Sequence, residues 1–144
     1  MPAMTAASAP ATRTARCGCG ALSATAKGEP AIVAMCSCTA CQRRTGAPFG
    51  TLAWWDAADV AVTGTAQRYA RVSERGRTIA YEFCPTCGSA LVFRGEHLPG
   101  KVGIAIGGFA DPAFPAPTVA VWDTTRHHWL DAIAAIPRLA EQRS

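Results

Sequence analysis

The chain has 144 residues, a mass of 15.0 kDa and a formal net charge of +4. That is one domain's worth of polypeptide, and with 49% apolar against 17% charged residues it can bury a real core. No run reaches the roughly 18 apolar residues of a membrane helix, which argues against an integral membrane protein, and the mild basic excess makes nucleic acid an unlikely partner.

Residues 1–14 contain five Ala, three Thr and two Pro, with no basic start ahead of a Leu-rich stretch. They read as a disordered tail and not as a secretory leader. A single domain is expected over residues 15–140, in the cytoplasm. Short strand-like runs then alternate with turn signals. The first is 22–26, ended by Gly28 and Pro30, and the second is 31–35. Residues 39–44 suit one helical turn, stopped by Gly46 and Pro48. Further strands are expected over 49–55, 60–63 and 67–72. Residues 78–83 and 89–93 read as the arms of a hairpin. A run over 102–106 carries Gly103 inside it, and 119–122 is the last strand. Residues 130–136 suit a short helix before Pro137. Many short strands, frequent Gly and Pro and no long amphipathic helix predict a mainly β domain with one or two short helical turns.

The function is read from seven cysteines. They fall as Cys17 and Cys19, then Cys36, Cys38 and Cys41, then Cys84 and Cys87. An odd count cannot close wholly into intramolecular disulfides. Disulfide frameworks also scatter cysteines, whereas a metal site needs sulfurs within about 4 Å of each other, which CxC and CxxC on tight turns supply. Pro85 fixes the backbone after the first thiol of the third group, and Gly88 can take positive φ after the second. A redox CxxC normally opens a helix, but here a strand-like run follows. Structural zinc prefers four protein ligands and catalytic zinc three plus an open position. Seven therefore divides into Cys17, Cys19, Cys84 and Cys87 as a closed site, and Cys36, Cys38 and Cys41 as an open one. Side chains at i and i+2 of a regular strand sit about 6–7 Å apart, so the Cys17–Cys19 pair needs a bent backbone, which Gly18 and Gly20 permit.

RCGCGAL (16–22), CSCTACQRRTGAPF (36–49) and FCPTCGSAL (83–91) resemble, in order and spacing, the glutathione-dependent formaldehyde-activating enzymes, a family that includes the centromere protein V-like zinc domains. GGFADPAFPAP (107–117) and the Arg126…Trp129 ending are similar to its C-terminal half. The resemblance spans roughly residues 16–138. It implies a β-tent-like arrangement of antiparallel sheets pinned by a four-cysteine zinc site, with a second, active-site zinc at Cys36, Cys38 and Cys41. The implied activity is that of a carbon–sulfur lyase working in reverse, joining formaldehyde to glutathione as S-(hydroxymethyl)glutathione. The implied partners are a small thiol such as glutathione and a small aldehyde. The chain departs from the family pattern at Ala120-Val121-Trp122, where many members carry His-Ile-Trp, and at Tyr81-Glu82, where an Arg is common.

Zinc held by three thiolates carries a net charge near −1 and is a weak activator of water, but it suits a fourth soft ligand such as an incoming thiolate. A free thiol of pKa about 8.5 is only roughly 3% ionised at pH 7, so full ionisation gains about 30-fold. Orientation beside a small carbonyl must supply the rest. Arg43 and Arg44 could offset the site's charge or hold substrate carboxylates. Arg68, Arg71, Arg75 and Arg77 could clamp an acidic ligand or simply face solvent. Phe49, Trp54, Trp55, Trp122 and Trp129 read as core or pocket wall. His97, His127 or His128 could close the triad as a Cys₃His structural site, although none sits at ligand spacing to it. Two other functions compete: a non-enzymatic zinc-binding β module that binds a protein or nucleic acid, and a redox-sensitive zinc/thiol protein with a labile triad.

Overall fold

Polar residues alone would not hold strand β1 (Thr12–Arg16) in place, yet it opens the structure, a computed structural model that describes residues 12–141. It pairs antiparallel with β2 (Ser23–Lys27), which pairs antiparallel in turn with β5 (Val60–Thr63) to make a three-stranded sheet. The tail expected over 1–14 thus overlaps a strand at its end. Ala15 is fully buried, and Arg13 bonds Glu29 at 2.9 Å. These long-range contacts, invisible in local composition, pin Thr12–Arg16 to the domain. Residues 1–11 lie outside the described residues.

The second sheet has seven strands in the order β10-β3-β4-β9-β8-β7-β6. They are β3 (Ile32–Cys36), β4 (Gly50–Asp56), β6 (Gln67–Val72), β7 (Thr78–Phe83), β8 (Ala90–Gly95), β9 (Lys101–Ala105) and β10 (Val119–Val121). All neighbours are antiparallel except β10, which runs parallel to β3. Among the described residues the one α-helix, α1 (Thr39–Thr45), lies between β3 and β4, and the segment expected as a C-terminal helix is a 3₁₀ helix over Leu130–Ala135. The architecture is therefore mainly β, two sheets with few helices, as the residue pattern predicts.

Register assigns the faces. Val33, Ala53, Ile104 and Val92 stand opposite one another across four strands, and all are buried. That face packs on Ala15, Ala24 and Ala26 of the small sheet and on Leu22 just before β2. The alanines leave room for the bulky Trp55, whose indole N–H donates to Gly28 O at 3.0 Å. Burying such apolar surface gives roughly 25 cal/mol per Å², the main drive for joining the sheets. The other face carries the row Trp54, Gly103, Phe93, Tyr81 and Tyr69, again in direct register. Cys36 lies on this face too, opposite Gly50, which has the same parity as Trp54 along β4. The sheet's two ends approach each other: Arg75, in the β6–β7 turn, stands 5.9 Å from the Trp122 ring that follows β10.

Candidate metal centre

Cys17 leaves β1 into a tight turn. Its N–H donates to Leu22 O (2.9 Å), Gly20 donates to Cys17 O (3.0 Å), and Leu22 N–H donates to the Cys17 sulfur at 3.2 Å. Gly20 has φ +83°, a left-handed conformation that glycine adopts without strain. The backbone is bent as CxC requires, and the two sulfurs approach to 3.7 Å. Across the molecule Cys84 ends the β7 arm and Gly88 turns the chain with φ +78° and an N–H bond to Cys84 O of 2.8 Å. The Cys19 and Cys84 sulfurs stand 3.6 Å apart. All four sulfurs of Cys17, Cys19, Cys84 and Cys87 lie within 4.8 Å of one another.

Ser89 ties the two turns together. Gly18 N–H donates to its hydroxyl at 3.0 Å, and that oxygen lies 3.3 Å from the Cys87 sulfur. The hydroxyl's bond to Cys87 is the first reason this thiol falls to about 5. An Ala21 N–H favours the Cys19 thiolate, but the crowding sulfurs of Cys84 and Cys17 outweigh it and push Cys19 up to about 11. Four sulfurs packed this closely repel one another as anions, and a divalent cation at their centre removes that conflict. The donor set therefore fits a soft metal ion.

The second cluster forms where β3 gives way to α1. Cys36 is the last residue of β3, Cys38 caps the helix with its sulfur accepting Cys41 N–H at 3.3 Å, and Cys41 sits in the first turn. Gly46 ends the helix at φ +68°. The three sulfurs lie within 4.8 Å of one another and are half-buried. A hydrogen bond from the Cys36 thiol is the chief cause that draws Cys41 down to about 5, with help from Cys38 and the Arg44 guanidinium. The same partnership with Cys41, and burial, push Cys36 up. All seven cysteines are free thiols. Among the described residues no histidine or carboxylate joins either cluster.

The structure gathers the cysteines into the two expected groups, and what holds the second is missed by sequence reasoning. Ser37 is buried, and its N–H donates to Val121 O at 3.1 Å. Its carbonyl accepts from Gln42 Nε2 (2.9 Å) and from the Thr125 hydroxyl (2.8 Å). Gln42 Nε2 also donates to Thr125 O (3.0 Å), while its Oε1 lies 2.9 Å from His127 Nε2. This polar clasp fastens the triad to the C-terminal segment. The sequence signal for it is a Gln one residue after Cys41. Of the two arginines past the triad, Arg43 is exposed and Arg44 is half-buried against Phe93. Arg68, Arg75 and Arg77 are exposed and Arg71 half-buried. His97 packs edge-on against Trp54, and His127 against Trp129. Trp54 and Trp55 are core, whereas Trp122 and Trp129 are 38% and 42% exposed, because the thin parallel edge strand β10 and the 3₁₀ turns after it provide little to bury them.

The model of the family described as glutathione-dependent formaldehyde-activating enzyme matches residues 12–125, which include both clusters and the clasp as far as Thr125. The chain belongs to that family. A solved Rhodobacter sphaeroides protein is similar in fold, with a TM-score of 0.56 and 22% identity, covering 74% of this chain and 98% of that one. No curated protein matches. Membership of this family is compatible with a glutathione-related function and with two cysteine clusters that could hold metal ions. No helix among the described residues is long and apolar enough to cross a membrane.

Proposed function

We propose that this family member is a zinc-dependent, carbon–sulfur lyase-like enzyme that joins a small thiol, glutathione or a relative, to a small aldehyde, or releases the aldehyde from the adduct. The observation that carries the reading is the contrast between the clusters: four converging sulfurs in one, three in the other, with the three half-exposed. Cys17, Cys19, Cys84 and Cys87 are assigned to structural zinc, and Cys36, Cys38 and Cys41 to a second zinc. Zinc at the three-cysteine site would supply stabilisation of an incoming thiol as its thiolate. The chain's own residues do the rest. The clasp of Ser37, Gln42 and Thr125 fixes where the three sulfurs point. Exposed Arg43, at the end of α1, offers a guanidinium to a substrate carboxylate. In the net reaction the thiol sulfur forms a bond to the carbonyl carbon, the C=O π bond breaks, and the thiol's proton ends on the new hydroxyl. Free thiols throughout suit a reducing compartment such as the cytoplasm.

Metal analysis and calorimetric titration with glutathione, followed by formaldehyde consumption, test the proposal. Two metals per chain, a heat of thiol binding that vanishes in Cys38→Ser, and thiol-dependent loss of formaldehyde are expected. Two metals with no heat and no turnover would reject the enzymatic reading.

A further inference from the structure

Arg44 sits in an unusual place for a guanidinium. It is half-buried, and among the described residues it forms no ion pair with a carboxylate. Its Cζ stands 4.5 Å from the centroid of Phe93, which is buried, and 5.8 Å from that of Tyr81. On its other side is the triad. A Cβ added at Gly50 would meet Arg44 Nη2 at 2.7 Å, Cys41 Cβ at 3.5 Å and Cys41 Sγ at 3.7 Å. Gly50 is buried mid-sheet beside Cys36 and does not have positive φ, so its backbone does not require glycine. The space does: the missing side chain is what lets the guanidinium lie beside Cys41. A half-buried cation lying against two aromatic rings is favoured by negative charge close by, and the cysteine sulfurs are what the structure provides.

We propose that Arg44 is a charge-balancing positioning residue for the three-cysteine site, offsetting its surplus negative charge and biasing its remaining coordination position toward an anionic thiolate over a neutral ligand. This rests on the metal assignment above. Three thiolates about a divalent ion leave a net −1, which Arg44 brings to zero before the substrate arrives. Without it, an incoming thiolate would take the site to −2 in surroundings where aromatic rings limit screening. The half-buried position also separates Arg44 from Arg43: the solvent-facing residue can meet substrate, and the one against the triad acts through the sulfurs.

The test is to load the full chain with Co²⁺ and titrate it with 2-mercaptoethanol and, separately, with imidazole, following the sulfur-to-cobalt charge-transfer absorption. In Arg44→Leu, thiol binding should weaken by about tenfold or more relative to imidazole binding. Arg44→Lys should keep most of the preference, and Gly50→Ala, which displaces the guanidinium without removing it, should shift it in the same direction as Leu but less. Equal weakening toward both ligands, or no change in Arg44→Leu and Gly50→Ala, overturns the inference. If the unaltered chain binds cobalt only at the four-cysteine cluster, the metal assignment itself falls and takes this inference with it. Retention of the four-cysteine cobalt spectrum in each variant separates these outcomes from misfolding.

Discussion

Cys19 and Cys87 are the exposed members of the four-cysteine cluster, so replacing both by serine removes two of its four thiols without cutting into the hydrophobic core. The magnitude follows from topology. Cys19 and Cys84 are 65 residues apart in sequence and 3.6 Å apart at their sulfurs. Treated as a cross-link, a loop of that length lowers the entropy of the unfolded chain by an amount equivalent to about 4 kcal/mol. Domains of this size are stable by only about 5–15 kcal/mol, so the loss is a large share of the total. The melting midpoint should fall by about 12–20 °C. The triad closes a loop of only a few residues, equivalent to about 2 kcal/mol, so Cys38→Ser/Cys41→Ser should lower the midpoint by about half as much or less. Circular dichroism melts with metal content measured on the same samples would check this. Equal midpoints for the two double variants, or a Cys19→Ser/Cys87→Ser protein that loses its metal yet melts like the unaltered chain, would refute the view that the outer cluster staples the fold.

Gln42→Leu should lose the triad's metal while keeping that of the outer cluster, at a stability cost of about 1–3 kcal/mol from the broken clasp, measurable by metal analysis and urea unfolding. Gly103→Ala would put a methyl group 3.0 Å from three atoms of the Trp54 indole; about 1–3 kcal/mol of overpacking should appear in the denaturant midpoint and in altered tryptophan emission. Desolvation beside Trp54, then the charge of Arg77, lower the imidazole of His97 below its ordinary value. The unfolded chain therefore takes up this proton before the folded one does. Stability from this source is intact above pH of about 6.5 and is lost as pH falls through that value toward the lower folded pKa. His97→Gln should flatten the urea midpoint between pH 7 and 5 by a small, solvent-screened amount relative to the unaltered chain; identical pH slopes would remove the assignment.

The parts of the molecule that the sequence makes legible are those where cause is local. The Cys84–Cys87 turn is readable because Pro85 fixes the backbone after the first thiol and Gly88 permits the left-handed turn after the second, and the flanking apolar runs become β7 and β8 in antiparallel register. The division of the cysteines follows from reach, since neighbouring thiols in CxC and CxxC are already close. What escapes is held from afar. Thr12–Arg16 has the composition of a tail and becomes a strand because β2 pairs with it along all five residues. Two of the partners of Gln42, Thr125 and His127, are 83 and 85 residues away, and no pattern near Cys41 announces them. Arg43 and Arg44 look equivalent as text; their opposite surroundings arise only when α1 is laid beside Phe93, Tyr81 and Gly50.

The polar clasp also gives the two clusters different birthdays. A ribosome releases Cys84 and Cys87 well before Val121 and Thr125, so the outer cluster has all its thiols while the triad still lacks the strand and hydroxyl that aim it. The thiols of the outer cluster can thus meet before the chain is complete, whereas the trio is brought to focus only once translation has passed the last clasp residue.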